Sequence, residues 1–465
     1  RYISKESVDE RIIMGIALLI IGLLFLLLGS ASIIYGCYNF KKDRSKDNFS
    51  KKELGLLLGG LGINSFGGAL FFGAIPVINR YPMNSGHFAM VILGGFLFTL
   101  FFSSLWTAFY LRFYRADMDV NILKWAKIIL YTSIPLSLIF FLLMMEGFAP
   151  YIKYPLVSGF VIGEGGFSWI RAGERAPKGL HIAWYGVIMV FSALVAYWIS
   201  DHRFYQKYHK HGMLDSLLLI AFPAGIIGAR IWYVVGNWNG DTGGGVAFSK
   251  LIGTSDWWKI FAIWEGGLTI LGGAVGGIIA GVIFMRLRRK YVDVRWAMDM
   301  IVPCILISQA IGRWGNFFNV EVYGSVVSTS SWSFLPTFIQ MQMSYNGNGT
   351  ALPAGQMHVP LFLIESMINI AGYFIIAYLV PFIWKKYRPN GSLAGCYMIW
   401  YGIVRMIMEP LRDSNFNMGT NGMWSFWNSM VYIIIGLVMI GVFFLIDYLK
   451  SKKDNTPKEE SEKVN

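Results

Sequence analysis

Residues 312–324 hold side chains that could do chemistry beside a membrane. The segment reads GRWGNFFNVEVYG and directly follows an apolar run. A charged residue such as Arg313 is costly in that place and usually serves a function. Asn316, Asn319 and Glu321 can orient the arginine or accept its hydrogen bonds. The segment also contains three glycines, which allow the backbone to approach a ligand closely.

Charged residues also stand near the ends of other apolar runs. Arg230 stands in the sequence GARIWY, where it either extends its charge to the membrane interface or holds an anion. Arg405, Glu409 and Arg412 are spaced i, i+4 and i+7, which places them on one face of a helix. They could hold an anion, or they could form an ion-pair network that fixes the helix. Glu265 stands in a further segment, WEGG, ahead of a run of glycines.

The composition indicates that membrane helices position these residues. The chain has 465 residues, of which 55% are hydrophobic and only 14% are charged. Its apolar runs are continuous, which favours helices over a barrel. The net charge of +13 is concentrated in short loops, a distribution typical of membrane topology and not of nucleic-acid binding. Cys37, Cys304 and Cys396 have no metal-ligand spacing, and we expect neither a metal site nor disulfides.

About eleven apolar runs are long enough to be transmembrane helices. They lie at residues 12–35, 54–77, 88–111, 125–145, 182–199, 213–235, 261–284, 296–311, 361–384, 393–408 and 424–448. Every second loop is basic, which predicts that the N-terminus is outside and the C-terminus is cytoplasmic. The fold class predicted is therefore an all-α polytopic membrane protein whose candidate site faces the outer side.

The segment 312–324 resembles the signature of the prolipoprotein diacylglyceryl transferase family. That signature is approximately G-R-x-G-N-F-x-N-x-E-x-x-G, and every specified position is filled here. Similar family blocks correspond to Trp184-Tyr185-Gly186, to the segment around Arg230, to WEGG and to residues 401–412. Pro360 and Glu365 are similar to a further family segment, and Asp299 matches a family aspartate.

The resemblance covers only the second part of the chain. We therefore expect three regions: a four-helix extension at 1–179, a seven-helix transferase core at 180–450, and a disordered cytoplasmic tail at 451–465. The extension carries few charged motifs, and we expect no catalytic groups from it.

The family reaction moves a diacylglyceryl group from phosphatidylglycerol to the lipobox cysteine of a prolipoprotein in the bacterial cell membrane, without a cofactor. Arginines suit the departing phosphate, because their planar fork binds its oxygens in pairs. The resemblance implies catalytic roles for Arg313, Arg405, Glu321 and Tyr185. It implies phosphatidylglycerol binding by Arg230, Asn316, Asn319, Arg412 and Gly324. It implies orienting roles for Glu409 and Glu265. The expected partners are phosphatidylglycerol, prolipoprotein signal peptides and membrane lipids, but not nucleic acid.

One position departs from the family pattern. Most members carry a histidine before the second glycine pair of the WEGG block, and this chain has Leu271 there. Glu321, His358 and Tyr185 remain candidates for the base that activates the thiol. Two alternatives stay open: a transporter or flippase for an anionic lipid, which intramembrane arginines would also suit, and an inactive relative that binds lipid or precursor, which the missing histidine allows.

Overall fold

The apolar runs form long helices in a computed structural model of the chain. The structure describes residues 5–42, 50–79, 81–114, 120–163, 166–174, 179–209, 212–238, 247–251, 253–262, 269–287, 292–385, 388–413 and 423–454. Glu265 and the side chain of Leu271 lie outside the described part, and so does the tail from residue 455 onward.

Helices and a few short strands make up the described part. The helices are α1 (Lys5–Lys42), α2 (Lys51–Ile78), α3 (Ser85–Tyr114), α4 (Val120–Phe148), α5 (Trp184–Tyr208), α6 (Asp215–Gly236), α7 (Ile270–Leu287), α8 (Val294–Ile301), α9 (Ile305–Asn319), α10 (Thr337–Met343), α11 (Leu361–Phe374), α12 (Val380–Ile383), α13 (Ser392–Met408) and α14 (Met423–Asp454). The strands are β1 (Val157–Gly163), β2 (Gly166–Arg171), β3 (Leu180–Ala183), β4 (Val326–Ser328) and β5 (Gln356–His358).

Nine helical segments of the described chain are long and apolar enough to cross a membrane. They are Ile13–Asn39, Lys52–Ile78, Ser85–Ala108, Lys124–Tyr151, Trp184–Tyr208, Asp215–Gly236, Val294–Asn319, Leu361–Ile383 and Phe426–Lys452. Of the other two predicted spans, 393–408 lies in α13, which has 17 residues, and the described part of 261–284 overlaps the shorter apolar helix that runs over Val275–Leu287. The chain is thus an all-α polytopic membrane protein. The helix α14 continues to Asp454, and the rest of the tail predicted at 451–465 lies outside the described residues.

The chain folds as two compact units. Unit 1 consists of residues 1–154 and 328–344, and unit 2 consists of residues 155–327 and 345–465. The contacts of the chain therefore divide near Tyr154, whereas the sequence placed a functional boundary near residue 179. That functional boundary remains a prediction.

Glycines at seven-residue intervals bring α1 and α2 of unit 1 into backbone contact. A Cβ atom at Gly22 would lie 2.7 Å from the backbone nitrogen of Phe71, and one at Gly29 would lie 2.7 Å from that of Asn64. Small residues allow helices in lipid to approach closely and pack through their backbones. The Asn64 side chain also donates to the hydroxyls of Ser30 and Ser103, each at 3.2 Å, which joins α1, α2 and α3.

Unit 2 begins with a three-stranded antiparallel sheet of order β2-β1-β3, which the sequence analysis did not predict. Phe160 at the centre of β1 pairs with Trp169 of β2 and with Ile182 of β3. The sequence did carry a signal, because two runs of β-branched and aromatic residues flank the glycine-rich sequence GEGG. The sheet leads directly into α5, whose first residues belong to the candidate site.

Buried polar contacts fix the helices that carry the signature segment. Pro303 interrupts the predicted span at 296–311, so that α8 and α9 are joined by a 3-10 turn. Asp299 is fully buried and pairs with Arg388 at 2.6 Å. Its other oxygen accepts hydrogen bonds from the backbone nitrogens of Leu393 and Ala394, at the start of α13. Asp299 thus anchors α13 to α8, away from the signature.

Candidate active site

The signature segment leaves α9 through a tight turn. Val320 and Val322 both have left-handed backbone angles, with φ of 51° and 56°. This conformation is unfavourable for β-branched residues, by about 1–3 kcal/mol each, so the surrounding contacts must hold the turn in place. The turn brings Glu321 back over the end of α9, where its Oε1 accepts from Asn316 at 2.9 Å and from Asn319 at 3.4 Å. The two amides of the signature therefore orient its carboxylate.

Arg313 is tied to a carboxylate far away in the sequence. Its Nη2 donates to Oε1 of Glu365 in α11 at 2.5 Å, and its Nη1 donates to Asn316 at 3.3 Å. Glu365 is only 3% exposed. Glu365 resembles part of a family segment in the sequence, but the resemblance implied no role for it at the site. The structure places it at the centre.

A second group of charges joins the same carboxylate from the end of α13. Arg405 pairs with Glu409 at 2.8 Å, and Arg412 lies 3.4 Å from the same oxygen of Glu409. Nη2 of Arg412 also lies 4.0 Å from Oε2 of Glu365. The predicted single helical face is wrong, because α13 ends at Met408 and Pro410 leads into a 3-10 turn that places Arg412 in extended backbone. The three side chains still meet at Glu409. Glu365 connects this group to Arg313, and we call Arg313, Glu365, Arg405, Glu409 and Arg412 the charged cluster.

The charged cluster contains more positive than negative charge. Three arginines face two carboxylates, and most of these side chains are largely buried. Burial, together with the neighbouring Arg405 and Arg313, lowers the pKa of Arg412 to about 10. Nη2 of Arg412 is buried and forms no hydrogen bond to any residue that the structure describes. A buried donor without a partner is costly, so this atom indicates a place for an anion.

Gly324 connects the signature segment to Arg412 through the backbone. Gly324 and Arg412 form an antiparallel β-bridge, and the backbone nitrogen of Gly324 donates to Val359 at 3.0 Å. A Cβ atom at Gly324 would lie 2.9 Å from the carbonyl oxygen of Leu411, so a larger residue would push the two segments apart. The role predicted for this glycine as a ligand contact stays a prediction, whereas its close packing is a structural fact.

His358 contacts the backbone of this β-bridge at Gly324. It is 2% exposed, and its ring stacks on Tyr323 with centroids 3.7 Å apart. Its Nδ1 lies 3.1 Å from the carbonyl oxygen of Gly324 and its Nε2 lies 2.9 Å from Asn346 Oδ1. Both ring nitrogens are thus occupied with the loop, which favours a positioning role for His358 over that of the base.

Tyr185 reaches the signature from the first turn of α5. Its ring covers Gly315, where a Cβ atom would lie 2.4 Å from the Tyr185 ring. Only a glycine at position 315 allows this approach. The structure thus brings Tyr185 against the signature segment that also carries Arg313 and Glu321.

Arg230 is held by a different part of unit 2. It is 7% exposed and donates to the carbonyl oxygens of Ile260 at 2.8 Å and Lys259 at 2.5 Å. Its guanidinium also lies over the rings of Tyr233 and Phe248, at 5.5 and 5.6 Å from their centroids. These contacts fix the turn after residue 256, and the phosphatidylglycerol-binding role of Arg230 stays a prediction.

Comparison with known proteins relates this site to one family. A family model described as prolipoprotein diacylglyceryl transferase matches residues 176–442. A phosphatidylglycerol–prolipoprotein diacylglyceryl transferase of Streptococcus equi subsp. equi is 36% identical over 272 residues, covering 57% of this chain and 92% of that relative. The protein of the same description from Streptococcus suis is 33% identical over 262 residues, covering 56% and 88% of the two chains. One from Mycoplasmopsis pulmonis is 40% identical over 210 residues, covering 43% and 59%.

Proposed function

The chain belongs to the prolipoprotein diacylglyceryl transferase family, and from this premise we propose how its charged cluster carries out the transfer. The chain is a phosphatidylglycerol–prolipoprotein diacylglyceryl transferase of bacterial lipoprotein biosynthesis. This resolves the choice between enzyme and transporter in favour of the enzyme. Its substrates are phosphatidylglycerol and the lipobox cysteine of a prolipoprotein. The cysteine sulfur forms a bond to the glyceryl carbon, the bond from that carbon to the phosphate oxygen breaks, and glycerol phosphate leaves with the electron pair.

The phosphate of phosphatidylglycerol binds at Arg412 and Arg313. The observation that carries this assignment is the buried Nη2 of Arg412, which lacks a hydrogen-bond partner among the described residues. Glu365 holds both guanidinium groups near one another, at 2.5 Å from Arg313 and 4.0 Å from Arg412. Charge builds on the phosphate as the carbon–oxygen bond breaks. Fixed cations in a site of low dielectric constant therefore stabilise the transition state more than the bound lipid.

Arg405 takes part through Glu409. That carboxylate interacts with Arg405 and Arg412 from the same oxygen atom, so Arg405 balances a charge that would otherwise neutralise Arg412. Glu409 fixes the geometry of the pair and leaves a net positive charge for the phosphate. Glu365 and Glu409 thus position the arginines, which explains why an anion-binding site contains two carboxylates.

Glu321 is the base that we assign to the thiol. Its Oε1 accepts from both signature amides, which fixes the carboxylate and leaves Oε2 to take the thiol proton. A free thiol has a pKa of about 8.5, and nearby arginines favour the thiolate. Tyr185, whose ring covers Gly315, contributes a hydroxyl group that can orient the approaching cysteine. This arrangement needs no histidine at position 271.

The membrane topology that suits this chemistry has the N-terminus outside, the C-terminus in the cytoplasm, about eleven spans, and the charged cluster at the outer surface of the bacterial cell membrane. The alternation of basic loops supports it. Exported prolipoproteins reach that side with their signal peptides in the lipid.

Transfer of labelled diacylglyceryl from phosphatidylglycerol to a lipobox peptide tests the assignment. Purified wild-type protein should label the peptide, and replacement of the peptide cysteine by serine should abolish labelling. Arg412→Gln should lose most of the transfer. Full activity of Arg412→Gln would contradict the phosphate site.

A further inference from the structure

Unit 1 combines the N-terminal helices with a piece of the transferase region. It joins residues 1–154 to residues 328–344. The family match covers residues 176–442, so residues 328–344 belong to the matched region, whereas the four helices that they fold with do not. We call residues 328–344 the captured segment.

A carboxylate near the end of α4 holds the captured segment. Oε2 of Glu146 accepts from the backbone nitrogen of Thr337 at 2.7 Å, and Oε1 accepts from the Thr337 hydroxyl. Phe338 and Ile339, the next two residues, are buried with exposures of 2% and 3%. An acidic residue in the last turn of a helix opposes the helix dipole. Glu146 therefore does not stabilise α4 through the helix dipole. Its two hydrogen bonds are made to Thr337, the first residue of α10.

Both ends of the captured segment adjoin the backbone of the active site. Before it, β4 pairs with β5, and the backbone nitrogen of Val359 donates to Ser325 at 3.0 Å. After it, the Asn346 side chain lies 2.9 Å from His358. His358 in turn contacts the carbonyl oxygen of Gly324. The captured segment is therefore continuous with β4, which begins two residues after Gly324, and it is followed two residues later by Asn346.

Gly324 connects this strand pair to the charged cluster. Its β-bridge to Arg412 fixes the backbone from which the unpartnered guanidinium nitrogen extends. The bridge leaves little room, because a Cβ atom at Gly324 would also lie 2.9 Å from Val359. Small displacements in such close packing are costly and are passed on to the neighbouring backbone.

We propose that the N-terminal extension positions the active-site loop of the transferase, and that Glu146 is the residue through which it does so. Glu146 is a positioning residue: it acts through Thr337 and the captured segment on Gly324. The proposal assigns a role to helices that lie outside the family match. It depends on the transferase activity of the chain but not on the assignment of the phosphate to Arg412.

The test uses point variants of the full-length chain reconstituted in lipid. Glu146→Ala, Thr337→Val and the double variant are compared by kcat and KM in the transfer assay, and by hydrogen exchange of residues 328–344. Glu146→Ala should lower kcat by about tenfold, the change expected for loss of one positioning contact. It should also accelerate exchange in the captured segment. The double variant should be no worse than Glu146→Ala, because both changes remove the same contact. Glu146→Gln keeps one acceptor oxygen for the backbone nitrogen of Thr337 and should recover part of kcat.

Glu53 provides a matched control in the same unit. Its carboxylate also accepts from one residue twice, from the backbone nitrogen and the hydroxyl of Ser50, each at 2.8 Å. Glu53→Ala should weaken α2 to a similar degree and leave kcat and the exchange of residues 328–344 unchanged. Equal losses in Glu53→Ala and Glu146→Ala would overturn the proposal, because they would reflect general instability of the extension.

Two further outcomes would also overturn it. One is a normal kcat in Glu146→Ala with faster exchange, since the position of the segment would then not matter to transfer. The other is unchanged exchange, since Glu146 would then not hold the segment. Arg412→Gln, measured in parallel, separates the two proposals: an active Arg412→Gln with an impaired Glu146→Ala removes only the phosphate assignment.

Discussion

Arg313 and Glu365 are 52 residues apart in the sequence and 2.5 Å apart in the structure. The pair fixes one edge of the guanidinium group and keeps the arginine in place without a ligand. It also makes the two residues dependent on each other, because Glu365 is buried and would be left with an uncompensated charge. Substitutions at this pair can therefore act on stability or on catalysis, and the choice of variant decides which is measured.

Arg313→Lys separates catalysis from stability. The lysine keeps the charge beside Glu365 but cannot reproduce the planar fork that binds two phosphate oxygens. Turnover should fall by about 30- to 1,000-fold, the loss expected for one charge-assisted contact of about 2–4 kcal/mol in the transition state. Thermal unfolding should change little. Turnover and melting temperature are measured on the same preparation, and near-normal turnover would remove Arg313 from the site.

Arg313→Ala should behave differently. It leaves the buried Glu365 carboxylate without this partner, and breaking such a pair costs about 3–5 kcal/mol of stability. A large drop in melting temperature is therefore expected in addition to the loss of turnover. Arg295→Lys is the matched control for Arg313→Lys, since Arg295 also pairs with a carboxylate, that of Asp447 at 2.7 Å, but in a partly exposed place. It should leave both quantities close to those of the wild type.

Arg412→Lys should weaken the binding of phosphatidylglycerol. The lysine ammonium group is a compact point charge without the planar fork of arginine, so it cannot bind Glu409 and a phosphate at the same time. Loss of a hydrogen bond to a charged group costs about 1.5–3 kcal/mol, so kcat/KM for the lipid should fall by about 10- to 150-fold. The KM for the lipobox peptide should stay nearly constant. An increase confined to the KM for the peptide would instead show that Arg412 binds the prolipoprotein precursor.

Gly173→Ala tests the contacts that the residues after β2 make with Asn348 and with the signature segment. Gly173 has φ of 80°, and a Cβ atom there would lie 2.1 Å from the carbonyl oxygen of Asn348. Ala172 beside it packs against Val320 and Tyr323 of the signature. The strain should cost about 1–3 kcal/mol and lower turnover as well.

Gly253→Ala is the control for this change. Gly253 has φ of 84° with open space around it, so the substitution costs only the backbone term. Both variants are compared by melting temperature and by turnover. Equal effects of the two substitutions would show that the contact with residue 348 does not matter.

Cysteine labelling tests the proposed orientation. In a background without Cys37, Cys304 and Cys396, a membrane-impermeant maleimide applied from outside should label Ser330→Cys and spare Ser45→Cys. Ser330 is exposed, so access is not limited by packing. Labelling of the reverse set would place the charged cluster on the cytoplasmic side.

The sequence predicted helices and motifs better than it predicted their partners. Arg405, Glu409 and Arg412 do meet at the Glu409 carboxylate, but α13 ends at Met408, so they do not share the helical face that the sequence predicted. The sequence could not place Glu365 against Arg313, because that contact depends on how α9 and α11 pack. Nor could it predict left-handed angles at Val320 and Val322, which contradict the local preference of valine. There the tertiary contacts override propensity.

The captured segment also constrains the order in which the protein is made. Domains commonly fold as they emerge during synthesis, the N-terminal one first. Unit 1 cannot follow that order to completion, because residues 328–344 are synthesised only after residues 155–327. Until then Glu146, near the end of α4, lacks its hydrogen-bond partner Thr337. The N-terminal helices therefore precede the transferase region in synthesis, but their unit is completed only after most of that region has been translated.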